Sequence, residues 1–335
     1  MSGYVVAVAG GTGAVGREIL NTLERRDFPV RELRILASAR SAGSSIEFKG
    51  EKVVVEDLEK AQFQGVDFVL SSPGGAVSKI HSPRMAEQGA VVIDNTSAFR
   101  MDPTVPLVVP EVNPEAALTH QGIIANPNCS TIQMVVALNP LHRAAGIKRV
   151  VVSTYQSVSG AGQTGIWELW NGVKARVAGE SEPEPSTFPH PIAFEVIPQI
   201  DKFDPSGYTK EELKMVYETR KIMGIETMDV SATCVRVPVM RGHSESITVD
   251  FDRPLSAKQA QEILGAAPGV TLADSPEESV YPLARHAEGT DTTWVGRIRQ
   301  DISRPQTLHM WVVSDNLLKG AALNAVQIAE LLIKR

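Results

Sequence analysis

The chain has 335 residues, of which 43% are hydrophobic and 21% charged, with a formal net charge of −6. That length allows about two domains of ~100–200 residues each, and the composition suffices for a large buried core, which excludes a disordered chain. The acidic balance argues against a general nucleic-acid binder but leaves room for a local cationic pocket.

Only Cys129 and Cys234 carry thiols. Two cysteines without a CxxC pair exclude a disulfide framework and give no sign of zinc, so no metal is expected. No run of about 18 apolar residues appears, so no membrane span is expected. The opening MSGYVVAVAGG lacks a charged segment followed by a cleavable apolar stretch. A reducing cytoplasm is the expected compartment.

Tyr4 to Ala9 is a short valine-rich run closed by glycines, which predicts a buried strand. Val15, Ile19, Leu20 and Leu23 recur at helical spacing and predict a helix from Ala14 to Arg25. A second strand is expected at Leu33 to Ala37, and a hairpin across Ile46 to Val55, turning at Lys49-Gly50-Glu51. Val66 to Leu70 reads as a strand, Val77 to Gln88 as a helix, Ala90 to Ile93 and Gly122 to Ala125 as strands. Strands alternating with helices imply a parallel sheet covered on both faces.

Beyond this, Ser130 to Leu141 is helical in pattern and Lys148 to Val158 is a long strand. Gly179 to Pro191, rich in Pro and Glu, predicts an irregular loop. Lys210 to Met223 reads as an amphipathic helix, Val230 to Val239 and Ser246 to Phe251 as paired strands, and Ser256 to Leu264 as a helix. Two further strands (Thr292 to Arg299, Thr307 to Ser314) and a closing helix (Leu317 to Leu332) complete the chain. The pattern predicts an N-terminal nucleotide domain and a second α+β domain.

Gly11, Gly13 and Gly16 form G-x-G-x-x-G between the first strand and the first helix. In that context the glycines let backbone N–H groups approach a pyrophosphate at a helix N-terminus. The second strand ends in Ala37-Ser38-Ala39-Arg40-Ser41, without the acid that would bind the ribose 2′-hydroxyl of NAD. An arginine and hydroxyls there suit a 2′-phosphate, so NADP is the expected cofactor.

Asn126-Pro127-Asn128-Cys129-Ser130 lies between a predicted strand and a predicted helix. A thiol at a helix N-terminus is expected to ionise more easily and to act as a nucleophile toward a carbonyl carbon. Cys234, in an apolar strand beside Val235 and Val237, fits a buried structural cysteine. Of the seven histidines, His243 is the candidate proton shuttle, since it follows a Gly turn and lies near Arg236 and Arg241. His81, His120, His142, His190, His286 and His309 read as surface or packing residues. Arg100 follows a strand end, where α/β sheets place ligands, and Glu211 and Lys214 share one helix face. An isolated pair of that kind is ordinarily a solvated ion pair.

These residues resemble the aspartate-semialdehyde dehydrogenase family along nearly the whole chain. The resemblance rests on GGTGAVG, ASARSAG (Ala37 to Gly43), VIDNTSAFRMD (Val92 to Asp102), VVPEVN (Val108 to Asn113) and NPNCST (Asn126 to Thr131). It continues through TYQSVSGAG (Thr154 to Gly162), IAFEVIPQID (Ile192 to Asp201), CVRVPVMRGHSES (Cys234 to Ser246) and DNLLKGAALNAVQ (Asp315 to Gln327). It implies an α/β fold: a Rossmann-type dinucleotide domain over 1–128 plus 316–335, and an α+β catalytic and dimerisation domain over 129–315.

The implied reaction is reversible, NADPH-dependent reduction of 4-phospho-L-aspartate to L-aspartate 4-semialdehyde with release of inorganic phosphate. It stands on the route to lysine or diaminopimelate, threonine and methionine, in a homodimer or dimer of dimers. By motif, the resemblance makes Cys129 the nucleophile and His243 the acid/base. Gln156 would position the acyl group, Arg236 bind the substrate carboxylate, and Glu211 lie near the substrate amine. Arg100 and Lys214 would hold the phosphate. The cofactor would touch Gly11, Thr12, Gly13, Ala14, Val15, Gly16, Arg40, Ser41, Ser159, Gly160 and Asn316. Two alternatives stand beside this reading. One is an N-acetyl-γ-glutamyl-phosphate reductase, whose substrate lacks an ammonium and so gives Glu211 less purpose. The other is a non-catalytic NADP-binding paralogue.

Overall fold

The computed structural model describes residues 3–333. The chain divides into two compact units, one running to Asn128 and resuming at Ala321, the other spanning Cys129–Gly320. Asn316 to Gly320, expected in the cofactor domain, therefore group with the second unit.

The first unit begins β1 (Tyr4–Ala9), α1 (Ala14–Arg25), β2 (Val30–Ala37), β3 (Ser45–Phe48) and β4 (Glu51–Asp57). It continues with β5 (Phe68–Ser71), α2 (Gly75–Glu87), β6 (Val91–Asp94) and β7 (Ile123–Ala125). The strands form one sheet in the order β3-β4-β2-β1-β5-β6-β7. All neighbours run parallel except the β3/β4 hairpin. The hairpin turns where expected, with Lys49 and Gly50 both at positive φ (49° and 81°), as a two-residue primed turn requires. Parallel strands covered on both faces must be apolar throughout. Accordingly, one core packs Val6, Val8 and Ile35 under Ile19 and Leu23 of α1. A second packs Val5, Ala7 and Val69 with Met85 of α2 on the other face. The last helix (Leu323–Ile333) joins the first core through Val326 and Ile328. Its Glu330 takes two 2.7 Å hydrogen bonds from Arg26.

The second unit contains α3 (Cys129–Ala145), β8 (Ile147–Gln156), α4 (Gln163–Ala178), α5 (Lys210–Met223), β9 (Asp229–Arg236) and β10 (His243–Phe251). There follow α6 (Ala257–Gly265), β11 (Val270–Leu272), the short α7 (Ala284–Ala287), β12 (Thr293–Gln300) and β13 (Thr307–Ser314). The sheet order is β11-β12-β13-β10-β8-β9. The expected pairing of the strands around Val230 and Ser246 is not present: β8 lies between them, parallel to β9 and antiparallel to β10. Short-range sequence pattern shows that two segments are strands but not which long-range partner intervenes.

Helix α4 also escaped the sequence pattern. Its buried residues are Gly165, Leu169, Gly172 and Ala175, while Trp167, Trp170 and Val177 are exposed, so its apolar stripe is inverted. The closing helix expected from Leu317 is instead a π-helical turn (Leu318–Ala322) leading into α8 (Leu323–Ile333).

Residues of α3, α5 and α6 pack on one face of this sheet, with Leu138, Met215 and Leu264 against Val150, Ile247 and Val312. One acid sits within the apolar stripe of β10. Glu245 is fully buried, opposite Thr154 and Val312 on the flanking strands. Burial holds its carboxyl well above the usual range, partly offset by the neighbouring Gln133 side chain. Neither oxygen has a partner of hydrogen-bonding geometry among the described residues.

The folded chain therefore keeps a proton on Glu245 at pH values where the unfolded chain, with a carboxyl near ~4.3, has lost it. Stability is lost as pH rises through that window. Glu245→Gln is expected to raise the melting temperature relative to wild type, by a margin that widens between pH 5 and pH 8. A margin that does not change with pH in a thermal-melt series would show that Glu245 is ionised in the fold.

Candidate active site

In the first unit, the strand–helix turn is built so that only glycine fits. A Cβ on Gly16 would lie 2.2 Å from the carbonyl oxygen of Gly10, and one on Gly11 would lie 2.5 Å from Ile35 Cγ2. Gly10 itself adopts φ 79°; it lies just outside the G-x-G-x-x-G pattern and was not among the expected cofactor residues. These contacts draw α1 tightly onto the turn. Gly13 is the N-cap and supplies no side-chain cap, so the first N–H groups of α1, from Ala14 and Val15, remain for an anion. A pyrophosphate fits that bare turn. Arg40 and Ser41 follow β2 in an open turn, with Arg40 exposed.

Arg100 lies in the same unit and is buried. Its Nε donates to the Asn126 carbonyl (2.9 Å) and its Nη2 to that of Asn95 (2.9 Å). Asn126 accepts a 2.6 Å bond from Asn324 Nδ2, so its side chain is fixed within the unit.

In the second unit, topology collects the other candidates at one end of the sheet. β8 and β9 run parallel, with Gln156 directly opposite Arg236 at their last positions. β10 runs antiparallel, so its first residue, His243, comes to the same end, beside Ser314 at the close of β13. Cys129 is the first residue of α3 and is half-buried. A Cβ on Gly320 would lie 2.8 Å from Cys129 Cβ, so a bare α-carbon is needed beside the thiol.

Ser157, which the sequence reading passed over, ties these residues together. Its carbonyl accepts a 2.7 Å bond from Arg236 Nη1, and its N–H donates to His243 Nδ1 at 3.0 Å. Because Nδ1 is an acceptor, the neutral imidazole carries its proton on Nε2. That atom is buried and has no partner among the described residues. The His243 pKa is pushed down to about 3, first by burial and then by the Arg236 charge. Asn316 braces the cluster, its Oδ1 accepting from Gly242 N–H (2.8 Å) and from Ser157 Oγ (3.1 Å), its Nδ2 donating to Ser159 Oγ (3.0 Å). A Cβ on Gly160 would lie 3.0 Å from Arg236 Nη1 and 3.4 Å from His243 Nε2.

Around this cluster the charges are balanced. Gln156 Nε2 donates to Glu211 Oε1 (3.1 Å). Lys214 Nζ reaches both Glu211 (3.0 Å) and Asp201 (3.1 Å). Burial lowers the Arg236 pKa, while Glu211 and then the Cys129 sulfur favour its charged form. Cys234 is distinct from Cys129: it is fully buried, packs on Met215, and burial holds its thiol well above the ordinary value. The second unit thus joins a half-buried cysteine at a helix start, a neutral histidine with an inward N–H, and a buried arginine. Among the described residues there is no cluster that could hold a metal and no helix long and apolar enough to cross a membrane.

Two family models match the chain: "Semialdehyde dehydrogenase, NAD binding domain" over residues 5–120, and "Semialdehyde dehydrogenase, dimerisation domain" over residues 138–319. The aspartate-semialdehyde dehydrogenase of Aquifex aeolicus is 57% identical over 335 residues, covering 99% of this chain and 98% of that protein. A crystal structure of aspartate semialdehyde dehydrogenase II from Vibrio cholerae, complexed with ASA, superposes with a TM-score of 0.97 at 49% identity, covering 100% and 99% of the two chains. That of the Candida albicans enzyme with NADP gives 0.76 at 26%, covering 99% and 98%. With a thiol, an arginine and a histidine arranged as above, and such relatives along its full length, the chain belongs to the aspartate-semialdehyde dehydrogenase family and is an oxidoreductase.

Proposed function

We propose that this enzyme carries out the reversible, NADP-dependent conversion of 4-phospho-L-aspartate to L-aspartate 4-semialdehyde through a thioester on Cys129. The observation that carries this reading is the Ser157-centred cluster. It presents a buried guanidinium and an imidazole N–H without a partner among the described residues, in the same unit as the half-buried thiol of Cys129.

In the biosynthetic direction the Cys129 sulfur attacks the acyl carbon, the C–O bond to phosphate breaks, and inorganic phosphate leaves. The nicotinamide, when bound, supplies a hydride to the thioester carbon. The tetrahedral oxygen is then met by the Nε2–H of His243, which needs no protonated imidazole to donate. As the carbonyl re-forms, the C–S bond breaks and the thiolate is regenerated. Arg236 offers the substrate carboxylate two parallel N–H bonds. Gln156, held by Glu211, orients the acyl oxygen, and Glu211 faces the substrate ammonium. Arg100 and Lys214 hold the phosphate in this reading. The pyrophosphate is held by residues 11–16 and the 2′-phosphate by Arg40 and Ser41. Ser159, Gly160 and Asn316 complete the nicotinamide side.

The ammonium role of Glu211 separates this substrate from an acylated glutamyl phosphate. The presence of Cys129, His243 and Arg236 argues against a binding-only paralogue. The reading includes a homodimer formed by the second unit, which leaves Tyr155, Trp167 and Trp170 exposed, and a cytoplasmic setting that keeps both thiols reduced.

Incubation with the acyl phosphate in the absence of NADPH is expected to release one phosphate per active site. Mass spectrometry should then place the acyl group on Cys129. Cys129→Ala should abolish both, with NADP binding retained. Acylation of any other residue in active protein would end the thioester mechanism.

Binding of a carboxylate to Arg236 cancels a charge that disfavours imidazolium, so the His243 pKa should rise. An imidazole NMR titration is expected to show His243 neutral above pH 5 in the free enzyme, with its midpoint shifted upward in Arg236→Gln. A wild-type midpoint near 6.5, or no shift in the variant, would contradict the buried-neutral assignment.

A further inference from the structure

The segment from Gly179 to Pro191 matches no motif, yet it sends one side chain to the centre of the site. The Phe188 ring stacks beside the Arg236 guanidinium, 5.7 Å from Cζ to the ring centroid. Phe188 is 9% exposed and sits in a small apolar cluster with Val158, Leu169, Ile192 and Ile197.

The loop is not held by regular structure. It is stapled by one carboxylate from α4: Glu168 Oε2 accepts from the N–H groups of Ser186 (3.0 Å) and Thr187 (2.7 Å), and Oε1 from that of Phe188 (3.3 Å). Burial pushes the Glu168 carboxyl up, but those amides outweigh it and keep it below its ordinary value. It therefore stays an anion across the working pH range. Gly165, one turn earlier on the helix, lacks the Cβ that would lie 3.0 Å from Phe188 Cζ.

The guanidinium is thus confined on three sides. The ring faces it, the Ser157 carbonyl takes Nη1, and Gly160 leaves only enough space for that nitrogen. Its Nε has no partner among the described residues. A long side chain of this kind loses substantial rotamer freedom when a ligand fixes it. An aromatic face removes that freedom beforehand while favouring the cation it touches.

We propose that Phe188 is a positioning residue for substrate recognition: the Glu168-stapled loop holds its ring against Arg236, so that the guanidinium is pre-aimed at the substrate carboxylate. This rests on the reading of Arg236 as the carboxylate receptor. Leucine in place of Phe188 keeps apolar packing and removes the π face; tyrosine keeps the face.

The test is steady-state kinetics in the direction of semialdehyde oxidation, varying semialdehyde, NADP and phosphate separately. Phe188→Leu is expected to raise the KM for semialdehyde about five- to tenfold, in line with the loss of a desolvated cation–π contact. kcat should stay within twofold, the KM values for NADP and phosphate should not change, and Phe188→Tyr should restore the semialdehyde KM. Glu168→Gln, outside the ring's packing, should raise the same KM to a smaller degree and serves if the leucine variant does not fold. An unchanged semialdehyde KM in Phe188→Leu, an equal loss for all three substrates, or a tyrosine variant no better than leucine would overturn the proposal. Arg236→Lys measured alongside separates the two layers. If it leaves the semialdehyde KM unchanged, the carboxylate reading itself falls; if it raises that KM while Phe188→Leu does not, only the role of Phe188 falls.

Discussion

A guanidinium with 6% of its surface exposed is costly unless it is paired and hydrogen-bonded. The second unit is organised around meeting that cost at Arg236. The Ser157 carbonyl, the Phe188 ring and the field of Glu211 each stabilise the ion, and of the three only Ser157 takes one of its hydrogen-bond donors, at Nη1. The same residue that gives Arg236 a carbonyl gives His243 an N–H. The position of the charge and the tautomer of the base therefore follow from one stretch of backbone, where β8 ends. A displacement of Ser157 would move both at once.

The histidine is the second consequence. Burial and the neighbouring Arg236 charge push the His243 pKa down and favour the neutral imidazole in the free protein. The site then offers a buried N–H that has no partner among the described residues, an arrangement suited to charge developing on a carbonyl oxygen. Preorganised donors of this kind need no rearrangement as the reaction proceeds. The two cysteines follow the same logic in opposite directions. Cys234 lies in the core with its thiol held neutral, whereas Cys129 begins a helix and retains access to solvent.

Much of this was legible in the sequence because it depends on local pattern. The glycine turn, the hairpin at Lys49-Gly50, helix Lys210–Met223 and the strand–helix junction at Cys129 all announce themselves through short-range chemistry. The long motifs then linked Arg236 and His243 to one chemistry. Three kinds of feature were not legible. Strand order was one: nothing in Asp229–Arg236 or His243–Phe251 says that β8 intervenes. Helices whose buried face is glycine and alanine were another, as in α4. The third was contacts made by backbone atoms or by loops. Ser157 meets Arg236 through its carbonyl and His243 through its N–H, groups that any residue possesses, and Glu168 reaches a loop with no sequence signature. Gly320 is required only because the Cys129 side chain lies against it, a fact of tertiary packing.

The net acidity of the chain, which first argued against a polyanion partner, is also reconciled at the site. Lys214 is not a bare cation waiting for phosphate; it is shared between Glu211 and Asp201 at about hydrogen-bond distance. In the proposed reaction a phosphate arriving there must compete with those carboxylates, and a phosphate leaving is replaced by them. Lys214 then has an anionic partner with or without phosphate, and the differential between bound and free states is smaller than for an isolated lysine. Such a site favours exchange over retention. That suits a reversible reaction in which phosphate is released in one direction and captured in the other, and it explains why an enzyme of anionic substrates carries acids among its cations.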